Sequence, residues 1–275
     1  MEFFETAPSA FSWKQVHKAG SSLRLGKPAD NNILRSFLDH HALMCAKVSE
    51  MAQESIDCLL SPIEVNPVAG AVEPDSGYYS LSYRVKTIQT LVEKLRRMQT
   101  FPLENILDVS GIRFDCDLTL SEQTEMAKMF RENFLNRGIQ KVEISDTREK
   151  PHSGYRAVHL HLYSKAGRSE FQIRTAMQAQ WANLYELAGD IFGRSIRYES
   201  VEDNLSPEVM TIVDAILEAS DVVHQAESLA DELFEPFSPQ QRIEPIHDEM
   251  RELRKKAYGV LEQELRKLEA ARSKK

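Results

Sequence analysis

The sequence predicts an α+β fold, a mixed β-sheet flanked by helices with helical extensions at both ends, and three observations predict it. The centre of the chain reads helix, strand, helix, three strands, helix, with too few strand–helix–strand repeats for a doubly wound sheet. The run RAVHLHLY over 156–163 alternates Val158, Leu160 and Leu162 with His159, His161 and Tyr163, the period of a half-buried strand. Beyond Ser206 the chain is charge-rich and helical in pattern.

Taken in order, residues 1 to about 27 are mixed and mildly basic, through Lys14, Lys18, Arg24 and Lys27. From Pro28 to Leu60 the apolar residues Ile33, Leu34, Phe37, Leu38, Leu43, Ala46 and Met51 recur at helical spacing. Ser61-Pro62 ends that helix, and 62–78, with its prolines and glycines, is expected to be a loop. A second helix is expected over about 84–99, stopped ahead of Pro102, and then a strand within 106–117. Thr119 followed by Glu122 forms a capping box that opens a helix over about 120–136, and Arg137-Gly138 closes it. Extended runs at 139–144, 156–163 and 169–174 lead into a helix over about 175–192. The remainder reads as a helical hairpin broken near Pro236–Pro239. The expected division is an N-terminal helical segment over 1–79, a core over 80–200 and a C-terminal helical extension over 201–275.

Composition narrows the function. Among 275 residues no run approaches the length of a membrane helix, and the start, MEFFETAPSAF, lacks the layout of a secretory signal, so a cytoplasmic protein without membrane contact is expected. Cys45, Cys58 and Cys116 make no CxxC pair, which argues for buried thiols rather than a disulfide framework or a zinc ribbon. The net charge of -8 hides an asymmetry: Arg251 to Lys275 holds nine Lys or Arg against four Glu, so the body is acidic and the final helix basic. Asp39-His40-His41 and His247-Asp248 echo metal-dependent hydrolase signatures, but neither has the further ligands those need. The two histidines are expected at a helix surface or core edge.

Four clusters carry chemistry. Lys86, Lys94 and Arg97 fall on one side of the expected helix and could meet a polyanion, although cations on a helix face are usually solvated. Asp108-Val-Ser-Gly-Ile-Arg113 brackets a Ser-Gly pair with a carboxylate and a guanidinium, and a hard cation takes such a carboxylate together with phosphate oxygens. The loop DTREKPHSGYRAVH ends at Gly154-Tyr155, where a tyrosine either packs its ring or offers a stacking platform to a base. In Glu170-Phe-Gln-Ile-Arg-Thr175, alternation sends Glu170, Gln172 and Arg174 to one face, and Phe171 and Ile173 to the core. Trp181 with Ile173, Met177 and Leu184 reads as core.

In order and spacing these clusters resemble the synthetase domain of the RelA/SpoT family: Arg84/Lys86, Asp108/Gly111/Arg113, Gly154/Tyr155/Arg156/His159, Glu170/Gln172/Arg174/Thr175, then Trp181. The resemblance covers about 80–192 and implies a nucleotidyltransferase-like fold and a pyrophosphokinase that moves the β,γ-diphosphate of ATP to a ribose 3′-hydroxyl. It implies ATP binding by Arg84, Lys86, Lys94, Arg97 and Arg113, the two arginines 84 and 113 sandwiching adenine. It implies Mg²⁺ on Asp108 and Glu170, with Glu170 also taking the proton of the attacking hydroxyl. Lys150, Tyr155, Arg156, His159 and Gln172 would serve the acceptor. The chain departs from the family on the acceptor side, with Asp146-Thr147 and Lys150-Pro151 in the loop and Tyr185-Glu186 after Trp181. The expected acceptor is a guanine nucleotide, giving (p)ppGpp. The alternatives are the 3′-CCA end of tRNA, as in toxic members of the family, and a catalytically silent nucleotide- or partner-sensing protein. The C-terminal helices over 206–275 are expected to bind an antitoxin or a second copy of the chain, or to cover the active site.

Overall fold

A computed structural model of the protein describes residues 2–59, 79–193, 196, 206–232 and 248–272. The loop expected over 62–78, the break near Pro236–Pro239, His247 and the side chain of Cys58 lie outside the described residues.

The segment read as mixed holds two helices, α1 (Glu2–Glu5) and α2 (Trp13–Arg24). Ser12 and Gln15 open α2 with a reciprocal capping box. Gly20 lets α2 lie flat on the chain at Leu103, since a Cβ there would stand 2.5 Å from that residue's Cβ. The long helix α3 (Asn31–Leu59) starts where the Asp30 carboxylate accepts from the backbone N–H groups of Asn32 and Ile33. Of its expected apolar stripe, Leu34, Phe37 and Met51 are buried, whereas Leu43 faces solvent.

One expectation needs correction here. The helix placed over 84–99 begins only at Ile88 (α4, Ile88–Arg97), with Thr87 as its N-cap, and the chain before it is a strand, β1 (Tyr79–Val85). The reason is the period: Tyr79, Leu81, Tyr83 and Val85 alternate with Ser80, Ser82 and Arg84, and the residues of β1 pair antiparallel with the next strand. Arg84 is therefore a strand residue, and Lys86 sits in the connection between β1 and α4.

The remaining elements follow the reading closely: β2 (Ser110–Cys116), α5 (Leu120–Asn136), β3 (Lys141–Asp146), β4 (Val158–Ser164), β5 (Gly167–Thr175) and α6 (Ala176–Phe192). The Thr119/Glu122 box is formed, and Thr175 with Gln178 makes a second one at α6. Two long helices complete the described chain, α7 (Pro207–Glu232) and α8 (Asp248–Arg272). The sheet order is β1-β2-β5-β4-β3, with β2 and β5 parallel and the other pairs antiparallel, so the sheet is mixed.

Alternation gives the sheet two unlike faces. Ile112, Phe114, Leu160, Leu162, Phe171 and Ile173 form the apolar face, covered by α3 and α5. The polar residues that alternate with them line the opposite face. A second core joins α6, α7 and α8 around Trp181, which is 2% exposed, with Met177 and Leu184 as expected. Cys45 and Cys116 are buried thiols, and burial pushes the Cys45 thiol up to about 11. His41 lies deeper than a core edge: it is 2% exposed, with Nδ1 2.6 Å from the Ser110 hydroxyl, and burial drives its imidazole down to about 3. No helix among the described residues is long and apolar enough to cross a membrane.

Candidate functional site

Strand register assembles the site. Residues directly opposite one another in a sheet share a face, so one row across the polar face runs Arg84, Gly111, Glu170, His161, Glu143. The next row runs Ser82, Arg113, Gln172, His159, Ser145. Two clusters far apart in sequence thus become neighbours, and Gly111 leaves bare backbone between Arg84 and Glu170.

Asp108 marks one end, in the short helical turn leading into β2. Lys86 Nζ lies 3.1 Å from its Oδ2, and Lys94 Nζ 2.7 Å from its Oδ1. These two lysines converge as expected, although Lys86 is not helical; Arg97 sits one turn beyond Lys94 on the exposed side of α4. Beside them Arg113 Nη2 is 2.9 Å from Glu186 Oε1 of α6, and Arg84 Nη2 is 3.9 Å from the same oxygen. Glu186 therefore stands between the two arginines named for adenine. In the sequence Glu186 stands out only as a departure from the family pattern; its signal is its place five residues after Trp181, more than one helical turn along α6.

Glu170 is the centre of the other end. Its Oε1 lies 3.2 Å from His159 Nδ1 and 3.7 Å from His161 Nε2, and its Oε2 accepts a 2.7 Å hydrogen bond from Gln172. Burial alone would raise this carboxyl, but the His159 contact, the Gln172 hydrogen bond and the His161 charge outweigh it and bring it down to about 2. Tyr155 extends the chain of contacts, its hydroxyl donating to Gln172 Oε1 at 3.3 Å. Burial lifts that phenol to about 12, so it stays protonated as a donor. Arg174, on the same strand face, is fully buried and paired to Asp115 by two 2.7 Å hydrogen bonds, so it braces the floor of the site.

The loop between β3 and β4 is pinned at both ends. Arg148 donates to the Asp146 carboxylate, Gln123 and Thr124, which ties the loop to α5. Lys150 is exposed near the loop tip. Arg156 is placed differently from the acceptor role expected of it: it is 7% exposed and its guanidinium is turned into α7, reaching Asp221 and Ser220. The physical reason is that a buried guanidinium needs fixed acceptors, and α7 supplies them.

Two groups of residues could hold a cation. Asp108 and Glu170 offer hard carboxylate oxygens, the kind Mg²⁺ takes together with phosphate oxygens, and both Asp108 oxygens are here paired to lysine ammonium groups. His159, His161 and Glu170 have ligand atoms within 4.8 Å of one another. A tight cluster of cations, carboxylates and a hydrogen-bonded phenol on one sheet face can bind a polyphosphate at one end and deprotonate a hydroxyl at the other.

Residues 83–188 match the family described as a region found in RelA / SpoT proteins. Uncharacterized proteins of Mycobacterium tuberculosis and Mycobacterium bovis are each 46% identical over 127 residues, which is 46% of this chain and 45% of theirs. The chain thus spans about half the length of the curated relatives it matches. Among solved structures, the small alarmone synthetase 1 of Bacillus subtilis aligns with 74% of this chain and 98% of its own, at 19% identity and a TM-score of 0.48.

Proposed function

We propose, from the match of residues 83–188 to the RelA/SpoT family, that the chain is an ATP-dependent pyrophosphokinase acting on a guanine nucleotide. The observation that carries this reading is the single row joining Arg84, across Gly111, to Glu170, with Asp108 and its two lysines at its end. That row sets a polyphosphate site beside an ionised carboxylate, as transfer to a hydroxyl requires.

In this reading Lys86 and Lys94 release Asp108 and take the ATP phosphates, while Arg84 and Arg113 stack on adenine with Glu186 between them to receive its amino group. Arg97 meets the outer phosphate from the next turn of α4. Mg²⁺, held by Asp108 and Glu170, would neutralise phosphate charge when bound. Tyr155 stacks the acceptor base, and Lys150 faces its phosphates. Gln172 and His159 hold Glu170 in place. The acceptor 3′-oxygen bonds to the β-phosphorus, the bridge from α- to β-phosphate breaks, AMP departs, and the hydroxyl proton passes to Glu170. Positioning and cationic stabilisation supply most of the rate in such transfers.

Transfer of label from γ-³²P-ATP, with GDP, GTP, ADP and deacylated tRNA offered in parallel, tests the reading. Label in GDP or GTP supports it; AMP formation with none of them refutes the acceptor, and no AMP at all supports a silent, nucleotide- or partner-sensing protein. The tRNA reading has one observation in its favour. Lys14, Lys18 and Lys27 in and beside α2 lie exposed, as do Arg96 and Arg97 of α4, and Gly26 adjoins Arg96. A tRNA acceptor would make turnover fall steeply with salt through those contacts, whereas turnover on GDP would change little.

Two further outcomes belong here. Tyr155→Ala is expected to raise the KM for the acceptor about tenfold, from lost base stacking worth ~1–3 kcal/mol, and to leave the KM for ATP within about twofold. Equal loss on both would remove Tyr155 from the acceptor role. The second outcome concerns pH. Glu170 has a folded-state value depressed to about 2 from 4.5, so its ionised form persists until pH falls toward 2, and the stability its contacts lend is lost only over that window. The profile of kcat/KM should therefore carry no carboxylate limb from Glu170 above about pH 4. In His159→Asn, which removes the foremost lowering contact, that limb should move upward.

A further inference from the structure

We infer that α7, part of the C-terminal extension, sets the shape of the loop that presents Tyr155, with Ser220 and Asp221 as positioning residues for the acceptor; the inference rests on the acceptor reading of that loop given above. The two loop residues that flank Tyr155, Gly154 and Arg156, are held from one turn of this helix. Arg156 Nη2 donates to Asp221 Oδ1 at 2.7 Å, and its Nε to Ser220 Oγ at 3.3 Å. Ser220, 2% exposed, passes its own hydrogen to the backbone carbonyl of Gly154. The third Arg156 donor closes on the carbonyl of Arg148 within the same loop. Side chain and main chain on either side of Tyr155 are thus tied to the same two residues of α7.

Shape complements these bonds. Gly154 has φ +75°, and a Cβ on it would stand 2.8 Å from the Trp181 ring and 3.1 Å from Leu217 of α7. The loop therefore passes through a slot between α6 and α7 that only glycine fits. The slot is rigid, because Trp181 Nε1 donates to the carbonyl of Ile216 at 2.7 Å. Further along α7, Glu227 accepts from Thr175 and Gln178 at the start of α6, and Asp231 accepts from the backbone N–H and hydroxyl of Ser121 at the start of α5. The helix is anchored to the starts of both α5 and α6, so it can hold the loop without moving itself. A loop this constrained loses little entropy when an acceptor arrives.

The test pairs Asp221→Asn and Ser220→Ala with Asp221→Glu as the conservative variant. Asp221 is 67% exposed in its side chain, so Asp221→Asn opens no cavity, and thermal unfolding of each variant checks that the fold is kept. Amide hydrogen exchange over 148–156 is read alongside the KM values for acceptor and ATP. In Asp221→Asn and Ser220→Ala the loop is expected to exchange faster, and the acceptor KM to rise about tenfold as Tyr155 loses its aim. The KM for ATP should stay within about twofold, and Asp221→Glu should behave as wild type. Unchanged exchange over 148–156 overturns the inference, as does a rise in both KM values together. Should no acceptor be turned over by any form, exchange alone decides the role of α7, and the pyrophosphokinase reading fails separately.

Discussion

Glu170→Gln is expected to slow AMP formation about a thousandfold, the scale at which a positioned base contributes, while ATP still binds. The substitution keeps volume and planarity, so the pocket made by His159, His161 and Gln172 retains its shape. What changes is charge and proton affinity. The carboxylate, held near 2 by its neighbours, is ionised throughout the neutral range and can receive a proton as the new bond to phosphorus forms. An amide cannot, and it also loses the charge that attracts a cation. Gln172 now meets an amide whose oxygen or nitrogen must choose between it and His159, which costs one hydrogen bond at most. Initial rates of AMP release at saturating ATP, with and without acceptor, separate the outcomes. A variant as fast as wild type would remove Glu170 from catalysis. A loss confined to ATP binding would make it a metal ligand only.

Much of this arrangement was legible in the sequence, and the reasons are local. The strand over 169–174 declares itself by alternation, and the same alternation predicts that Glu170, Gln172 and Arg174 share a face. The box at Thr119 fixes a helix start because its bonds span three residues. The first strand escapes a local reading because its sequence follows the Pro- and Gly-bearing run 62–78 and runs straight into α4, so its serines look like loop and its arginine like helix. Long-range pairings were beyond reach for a different reason. Nothing in the neighbourhood of Arg156 says that its acceptor lies 65 residues ahead in α7, nor does Glu186 announce that it will stand between Arg84 and Arg113. Such contacts come from how helices pack on the sheet, and packing is set by whole faces rather than by neighbours in the chain. Arg174 shows the same limit in a more costly form. Alternation places it correctly on the polar face, yet only the register with β2 reveals that this face is closed over it and that Asp115 is its partner.

That pair gives the largest expected effect on stability. Asp115→Ala should destabilise the protein by about 3–5 kcal/mol, the cost of leaving a buried charge without its partner. Arg174 is 2% exposed and Asp115 5%, and the two bonds between them are each 2.7 Å long. Burial works against the Arg174 charge, and the Asp115 carboxylate more than offsets it, holding the guanidinium above its ordinary range. Arginine cannot shed its proton to escape, so the variant has either to admit water between β2 and β5 or to swing the side chain out through the site. Either movement disturbs Gln172 and Tyr155, which share that face, so catalysis should fall along with stability. Urea unfolding is expected to show a lower midpoint at unchanged slope, the signature of a destabilised native state. The double variant Asp115→Leu/Arg174→Met removes both charges and keeps the volume, and it should recover most of the lost stability. It should not recover activity, because the floor beneath the acceptor side would no longer fix the polar row. A loss below about 1 kcal/mol in Asp115→Ala, the value of an exposed pair, would mean that the ion pair is solvated and does not brace the site.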